Sequence, residues 1–163
     1  MLASYYVSLL TIDYIGRRNI QLLGFALVGA VFVVMAAFLA PLESSYSGLF
    51  VVLYGLTFFF SNFGPNMSTF VIPAEAFPTR ARATCHGMSA ASGKAGAAIG
   101  SAAFPIILAA FSTQQEGVSA VLYICAALSV LGFVWTWVFT RETGSVDLAE
   151  LDAENERRLV AQG

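Results

Sequence analysis

At 163 residues, 58% hydrophobic and only 11% charged, the chain carries far less charge than the roughly 25% of an average soluble domain, which excludes an ordinary water-soluble globule. Its net charge of −2 comes without a basic cluster, so nucleic acid is not an expected partner. The charges are also clustered. Between Asn19 and Thr140 only Glu43, Glu75, Arg80, Arg82, Lys94 and Glu116 are charged, and the apolar runs between them approach the ~20 residues that a helix needs to cross a bilayer core.

Residues 1–12 (MLASYYVSLLTI) are apolar but lack the basic start and cleavage site of a signal peptide. At 1.5 Å per residue they cover only about 18 Å of a core near 30 Å, so they read as the last part of a spanning helix. DYIGRR, residues 13–18, is a charged turn in which Gly16 allows a tight bend and Asp13 can pair with an arginine or cap the next helix. Four complete spans are predicted at 20–40, 48–72, 84–111 and 119–140. Pro41 ends the first, residues 73–83 form a second charged turn with Glu75, Arg80 and Arg82, and Trp135 and Trp137 suit a membrane boundary near the end of the last. The fold class is therefore an all-α membrane protein: a bundle over 1–140 followed by a polar tail, 141–163. Arg17, Arg18, Arg80, Arg82 and Arg141 all fall on one side, while the loops with Glu43 and Glu116 have no Lys or Arg. The positive-inside rule makes the arginine side, and with it the tail, cytoplasmic. Cys85 and Cys125 fall near opposite faces of the membrane, so they are expected to be unpaired packing residues.

Lys94 is the residue that demands an explanation. It lies about 15 Å into the third span, where a charge is costly and normally faces a bundle interior or a watery cavity. Its neighbours are small, and Gly96 and Gly100 form a G-x-x-x-G step expected to admit a close helix. Asn66, in the GPN of the second span, is predicted at a similar depth, with Asn62 a turn earlier and Thr69 about a turn later. Pro65 removes a backbone donor there, a break tolerated where backbone lines a cavity or is otherwise satisfied. A lysine beside an amide suits an oxyanion: the lysine supplies charge and the amide directed hydrogen bonds. The alternatives are a lysine paired with a carboxylate for assembly and an amide used only between helices. Asp13, Arg17, Arg18, Glu75, Arg80 and Arg82 are expected to gather at the cytoplasmic face as a charge network, either as a gate or as plain topology signals. His86 reads as an interfacial residue. No nucleotide-binding loop, nucleophile elbow or metal-ligand spacing occurs, so neither an enzyme nor a metal or other cofactor is expected.

NFGPNMSTFVIPAEAFPTRARATCHGMSAASGKAGA, with DYIGRR upstream, closely resembles the last third of fungal and plant proton–inorganic phosphate symporters of the major facilitator superfamily. The resemblance implies that the chain holds the end of helix 8 and helices 9 to 12 of a twelve-helix transporter, driven by a proton gradient. It implies that Asn66 and Lys94 match the asparagine and lysine that hold phosphate in that family. Where the family has GPN-x-T-T-F this chain has Ser68 before Thr69. The family's helix 7 aspartate and N-terminal half are not in the sequence, so the chain alone is expected to show no uptake. Its partners would be phosphate, the lipid bilayer, and the missing half or a full-length transporter, in a multi-pass plasma-membrane location. A glycerophosphodiester or other organic-anion permease shares GPN and the lysine, and a truncated, non-transporting interaction protein is the alternative of another class.

Overall fold

The computed structural model describes residues 2–77, 79–140 and 157. The expected tail, apart from Arg157, and the Arg80 side chain fall outside them. Among the described residues the fold is all-α. The helices are α1 (Leu2–Ile15), α2 (Arg17–Ala37), α3 (Leu39–Ser44) and α4 (Ser47–Ser61), then a π turn (Asn62–Asn66), then α5 (Met67–Ala76), α6 (Thr79–Ala109) and α7 (Gln114–Phe139). Four stretches are long and apolar enough to cross a membrane: Arg17–Ala37, Ser47–Glu75, Ala81–Ala109 and Gln114–Phe139.

The helix limits differ from the predicted spans for local reasons. The first span stops at Ala37, not at 40, with Phe38 at φ −111° and ψ 21°. In an unbroken helix the Pro41 ring would clash with the carbonyl four residues back, that of Ala37. The bend falls there, and Pro41 moves into the opening turn of α3, where its missing N–H costs nothing. The second span runs past Pro73 to Ala76 and ends where Phe77 turns extended (φ −100°, ψ 138°). Phe77 precedes Pro78, and a residue before proline is pushed out of the helical region. The broad turn expected over 73–83 is thus shortened, with α5 reaching Ala76 and α6 beginning at Thr79. The last helix begins at Gln114, five residues before the predicted 119, because Thr113 caps it: its Oγ1 accepts from the Glu116 N–H at 3.3 Å.

α2 is the central helix, touching α1, α4, the π turn, α5 and α7. Its seam with α7 is built from small residues, which let backbones approach where lipid offers no hydrophobic drive to associate. Gly29 meets Ser129, and Gly132 lies under the Phe25 ring. Ser129 and Thr136 turn their hydroxyls back to their own helix, onto Cys125 and Gly132 carbonyls. At one end of the bundle Ser119 Oγ donates to the Ala36 carbonyl at 3.0 Å. At the other, Arg18 donates to the Trp137 carbonyl at 2.7 Å and lies 5.2 Å from the centre of the Trp137 indole.

The closest backbone approach is not at Gly96 and Gly100. A Cβ at Gly96 would meet nothing within 4 Å, and one at Gly100 only its own helix's Phe104. Instead α2 crosses the π turn at Gly24 and Gly64, where a Cβ on Gly64 would sit 2.5 Å from the Gly24 Cα and 2.7 Å from the Ile20 carbonyl oxygen. Ile20, Ile12 and Phe63 form the buried core beneath this crossing.

The π turn follows from Pro65. It has no N–H, and the Met67 N–H reaches the Gly64 carbonyl instead of that of Phe63. Buried Ser8 on α1 takes up the Phe63 carbonyl, donating to it at 2.7 Å. Ser68 Oγ and Thr69 Oγ1 donate to the Pro65 and Asn66 carbonyls. A Ser8→Ala variant leaves the Phe63 carbonyl without this donor and is expected to lose about 1 kcal/mol of stability, measured by equilibrium unfolding in mixed micelles. An unchanged midpoint would show that the turn does not depend on α1.

Candidate functional site

The two residues singled out from separate spans line one cavity. It has a volume of about 740 Å³, and Asn66, Thr69 and Pro73 form one wall with Ser89, Gly93 and Lys94 facing it from α6. Gln21 from α2 and Trp135 and Thr140 from the end of α7 complete the lining. The π turn carries Asn66 and α5 carries Thr69, while the small residues before Lys94 leave space in front of it. Lys94 is exposed. Among the described residues it makes no hydrogen bond or ion pair, and no carboxylate lines the cavity. That observation goes against a lysine held in a structural ion pair within this chain. It leaves the ammonium charge and its three N–H donors without a protein partner among the described residues.

Asn62 is buried and does not line this cavity. Its amide nitrogen donates to the Phe58 carbonyl at 2.7 Å, and its Oδ1 accepts from Asn66 Nδ2 at 2.8 Å. Asn62 therefore holds the Asn66 amide instead of lining the cavity itself. Asn66 Nδ2 also donates to Tyr5 Oη on α1 at 2.6 Å. Both amide N–H groups are thus engaged, so in this arrangement Asn66 offers the cavity its carbonyl oxygen and not the N–H donors expected from sequence. Thr69 lines the cavity with its hydroxyl bonded to the Asn66 carbonyl.

The charged residues divide into separate groups. Arg17 joins Asp13 at 2.8 Å and forks onto Glu75, with Nη2 at 3.0 Å and Nε at 3.2 Å from Oε1. This ties the ends of α1, α2 and α5 together just below the cavity's Pro73. Gly16, at φ 90°, makes the turn that brings Arg17 there, a backbone conformation open mainly to glycine. Arg18 turns away to Trp137, and Arg82 Nε donates to the Phe77 carbonyl at 3.1 Å, closing the break before α6. His86 lies against the Phe70 ring, centroids 6.0 Å apart. Cys85 and Cys125 are free thiols. Among the described residues no three His, Cys, Asp or Glu side chains converge as a metal site.

Tyr5, Gln21 and Trp135 were not among the site candidates taken from the sequence, where Trp135 was read only as a membrane-boundary residue. Trp135 had a signal, its place at the end of the last span. Tyr5 had none, being 61 residues from Asn66.

Comparison with known proteins gives a consistent result. The family model for "Sugar (and other) transporter" matches residues 1–154. The chain is 46% identical over 166 residues to Arabidopsis thaliana "Probable inorganic phosphate transporter 1-6", covering 97% of this chain and 30% of that protein. It is 41% identical over 153 residues to Lotus japonicus "Low affinity inorganic phosphate transporter 4", covering 94% of this chain and 28% of that protein. With Oryza sativa "Inorganic phosphate transporter 1-11" it shares 43% identity over 151 residues, 93% of this chain and 26% of that protein. The chain thus spans less than a third of the length of these curated relatives, and the stretch it matches is their C-terminal part.

Proposed function

Because the chain belongs to the Sugar (and other) transporter family, an integral multi-pass membrane protein of the major facilitator superfamily, we propose that it forms part of a proton-coupled inorganic phosphate symporter. Lys94 neutralises the phosphate charge and Asn66 orients the anion beside it. The observation that carries this reading is that Lys94, without a carboxylate partner among the described residues, shares a cavity with Asn66. It is supported by relatives named as inorganic phosphate transporters.

In this reading the described helices correspond to the end of helix 8 and helices 9 to 12, and a six-helix N-terminal half supplies the facing wall. Transport then follows from rocking of the two halves about a midplane site. No cofactor is needed, since the proton gradient supplies the free energy. The end bearing Arg17, Arg18 and Arg82 faces the cytoplasm by the positive-inside rule, and the plasma membrane is the proposed location.

The test places the full chain in a host protein. It replaces the matching C-terminal stretch of the Arabidopsis thaliana relative, in cells lacking their own phosphate uptake. Uptake of labelled phosphate, stimulated by an inward proton gradient, is expected. In the same host Asn66→Ala is expected to raise the KM for phosphate about tenfold, the equivalent of one hydrogen bond to a charged group, with the surface amount unchanged. A chimera that reaches the surface and moves another solute but not phosphate would overturn the phosphate assignment. An unchanged KM in the alanine variant would remove Asn66 from the site.

A further inference from the structure

Tyr5, Asn66 and Asn62 form a hydrogen-bond relay whose polarity is set at one end. A backbone carbonyl can only accept, so the Asn62 amide nitrogen, 2.7 Å from the Phe58 oxygen, is the donor there. Asn62 Oδ1 therefore faces Asn66 as an acceptor, and Asn66 Nδ2 donates to it at 2.8 Å. The same nitrogen donates to Tyr5 Oη at 2.6 Å. An amide nitrogen has two hydrogens, and both are now taken. Asn66 Oδ1 accepts nothing from the described residues, so a carbonyl oxygen is what this side chain has left for a ligand.

We propose that Tyr5 is a positioning residue that holds the Asn66 carbonyl toward the ligand, so that the site discriminates oxyanions by whether they carry a hydroxyl. This inference rests on the reading of Lys94 and Asn66 as the oxyanion site. A dihydrogen phosphate ion has bare oxygens for the Lys94 ammonium and P–OH groups that donate to Asn66 Oδ1. Sulfate near neutral pH has only acceptors, and its oxygens meet the Asn66 carbonyl with like polarity. Without the Tyr5 hydroxyl, one Asn66 N–H loses its acceptor. The amide then gains by rotating that N–H toward a bare oxyanion oxygen, which helps sulfate and costs the P–OH bond to phosphate.

The experiment uses the chimera described above, purified into lipid nanodiscs so that the facing wall is present, with equilibrium binding of labelled phosphate and labelled sulfate, and asparagine side-chain amide signals followed by nitrogen-15 NMR. Tyr5→Phe keeps the ring and removes only the hydroxyl. It is expected to narrow the preference for phosphate over sulfate about tenfold, the worth of one hydrogen bond, and to speed exchange of the Asn66 side-chain amide. Tyr6→Phe, one residue along and 65% exposed, serves as the control and is expected to change neither. If Lys94→Ala abolishes phosphate binding while Tyr5→Phe leaves both the preference and the amide signal unchanged, the role of Tyr5 is overturned and the site stands. If the unaltered chimera binds no phosphate, or Lys94→Ala in it binds phosphate normally, the site itself is overturned and the inference goes with it.

Discussion

Replacing Lys94 with alanine is expected to lower phosphate uptake at least about a hundredfold in the chimera, per molecule at the cell surface. The lysine sits in a helix whose surroundings give it no counter-charge: the cavity in front of it is lined by amides, hydroxyls and apolar groups without a carboxylate. A charge at membrane depth costs roughly 2.5–3.5 kcal/mol on insertion scales, so its removal should not harm the fold and could help it. What it removes is the only cationic group lining the cavity among the described residues. Charge-assisted hydrogen bonds are worth about 1.5–3 kcal/mol, and the long-range attraction for an anion is lost with them. A purely structural lysine would give the opposite pattern, with less protein at the surface and normal uptake by what remains. Normalising uptake to surface protein separates the two, and normal transport per molecule would return Lys94 to packing.

The largest stability effect is expected at Gly64. A Gly64→Ala methyl would be driven to 2.5 Å from the Gly24 Cα and 2.7 Å from the Ile20 carbonyl oxygen. Both obstacles are backbone, held in a continuous helix, so neither can swing aside as a long side chain would. Overpacking of this kind costs typically 1–3 kcal/mol, and about 3 kcal/mol is expected here because α2 and the π turn must separate to admit the methyl. Gly24→Ala should behave alike, since its Cβ would lie 2.5 Å from Pro65 Cδ and 2.6 Å from the Gly64 Cα. Gly96→Ala is the control: its Cβ meets nothing within 4 Å, and a change within about 0.5 kcal/mol is expected. Equilibrium unfolding in mixed micelles measures all three. Separation at this crossing would also carry Asn66, two residues on, away from Tyr5, so weaker phosphate binding should accompany the lost stability at Gly64. Equal unfolding midpoints for Gly64→Ala and Gly96→Ala would show that the crossing is not the constraint described.

Several features were legible because their causes are local. Apolar runs of spanning length, separated by charged turns, are enough to specify four membrane helices, since the bilayer leaves a backbone few alternatives. Pro65 marked the break in the second span for the same reason: a missing N–H disturbs a helix whatever surrounds it. Other local signals were present and passed over. Thr113 with Glu116 three residues later is a helix-start pattern, and Phe77 before Pro78 marks a helix end more sharply than Pro73 does.

The sequence by itself determined the helical membrane class and singled out Lys94 and Asn66 as polar groups on successive spans. Only the tertiary structure decided what those groups present to a ligand. Whether two glycines form a close contact depends on which face of the helix meets a neighbour, and so Gly24 and Gly64 touch while Gly96 and Gly100 do not. Ser8 satisfies the carbonyl that Pro65 leaves free, and Tyr5 takes the Asn66 proton that sequence reasoning had offered to the anion. Both sit on a helix more than 50 residues away. A hydrogen bond depends on distance in space and on which atom of an amide is already engaged, and neither quantity is written in residue order.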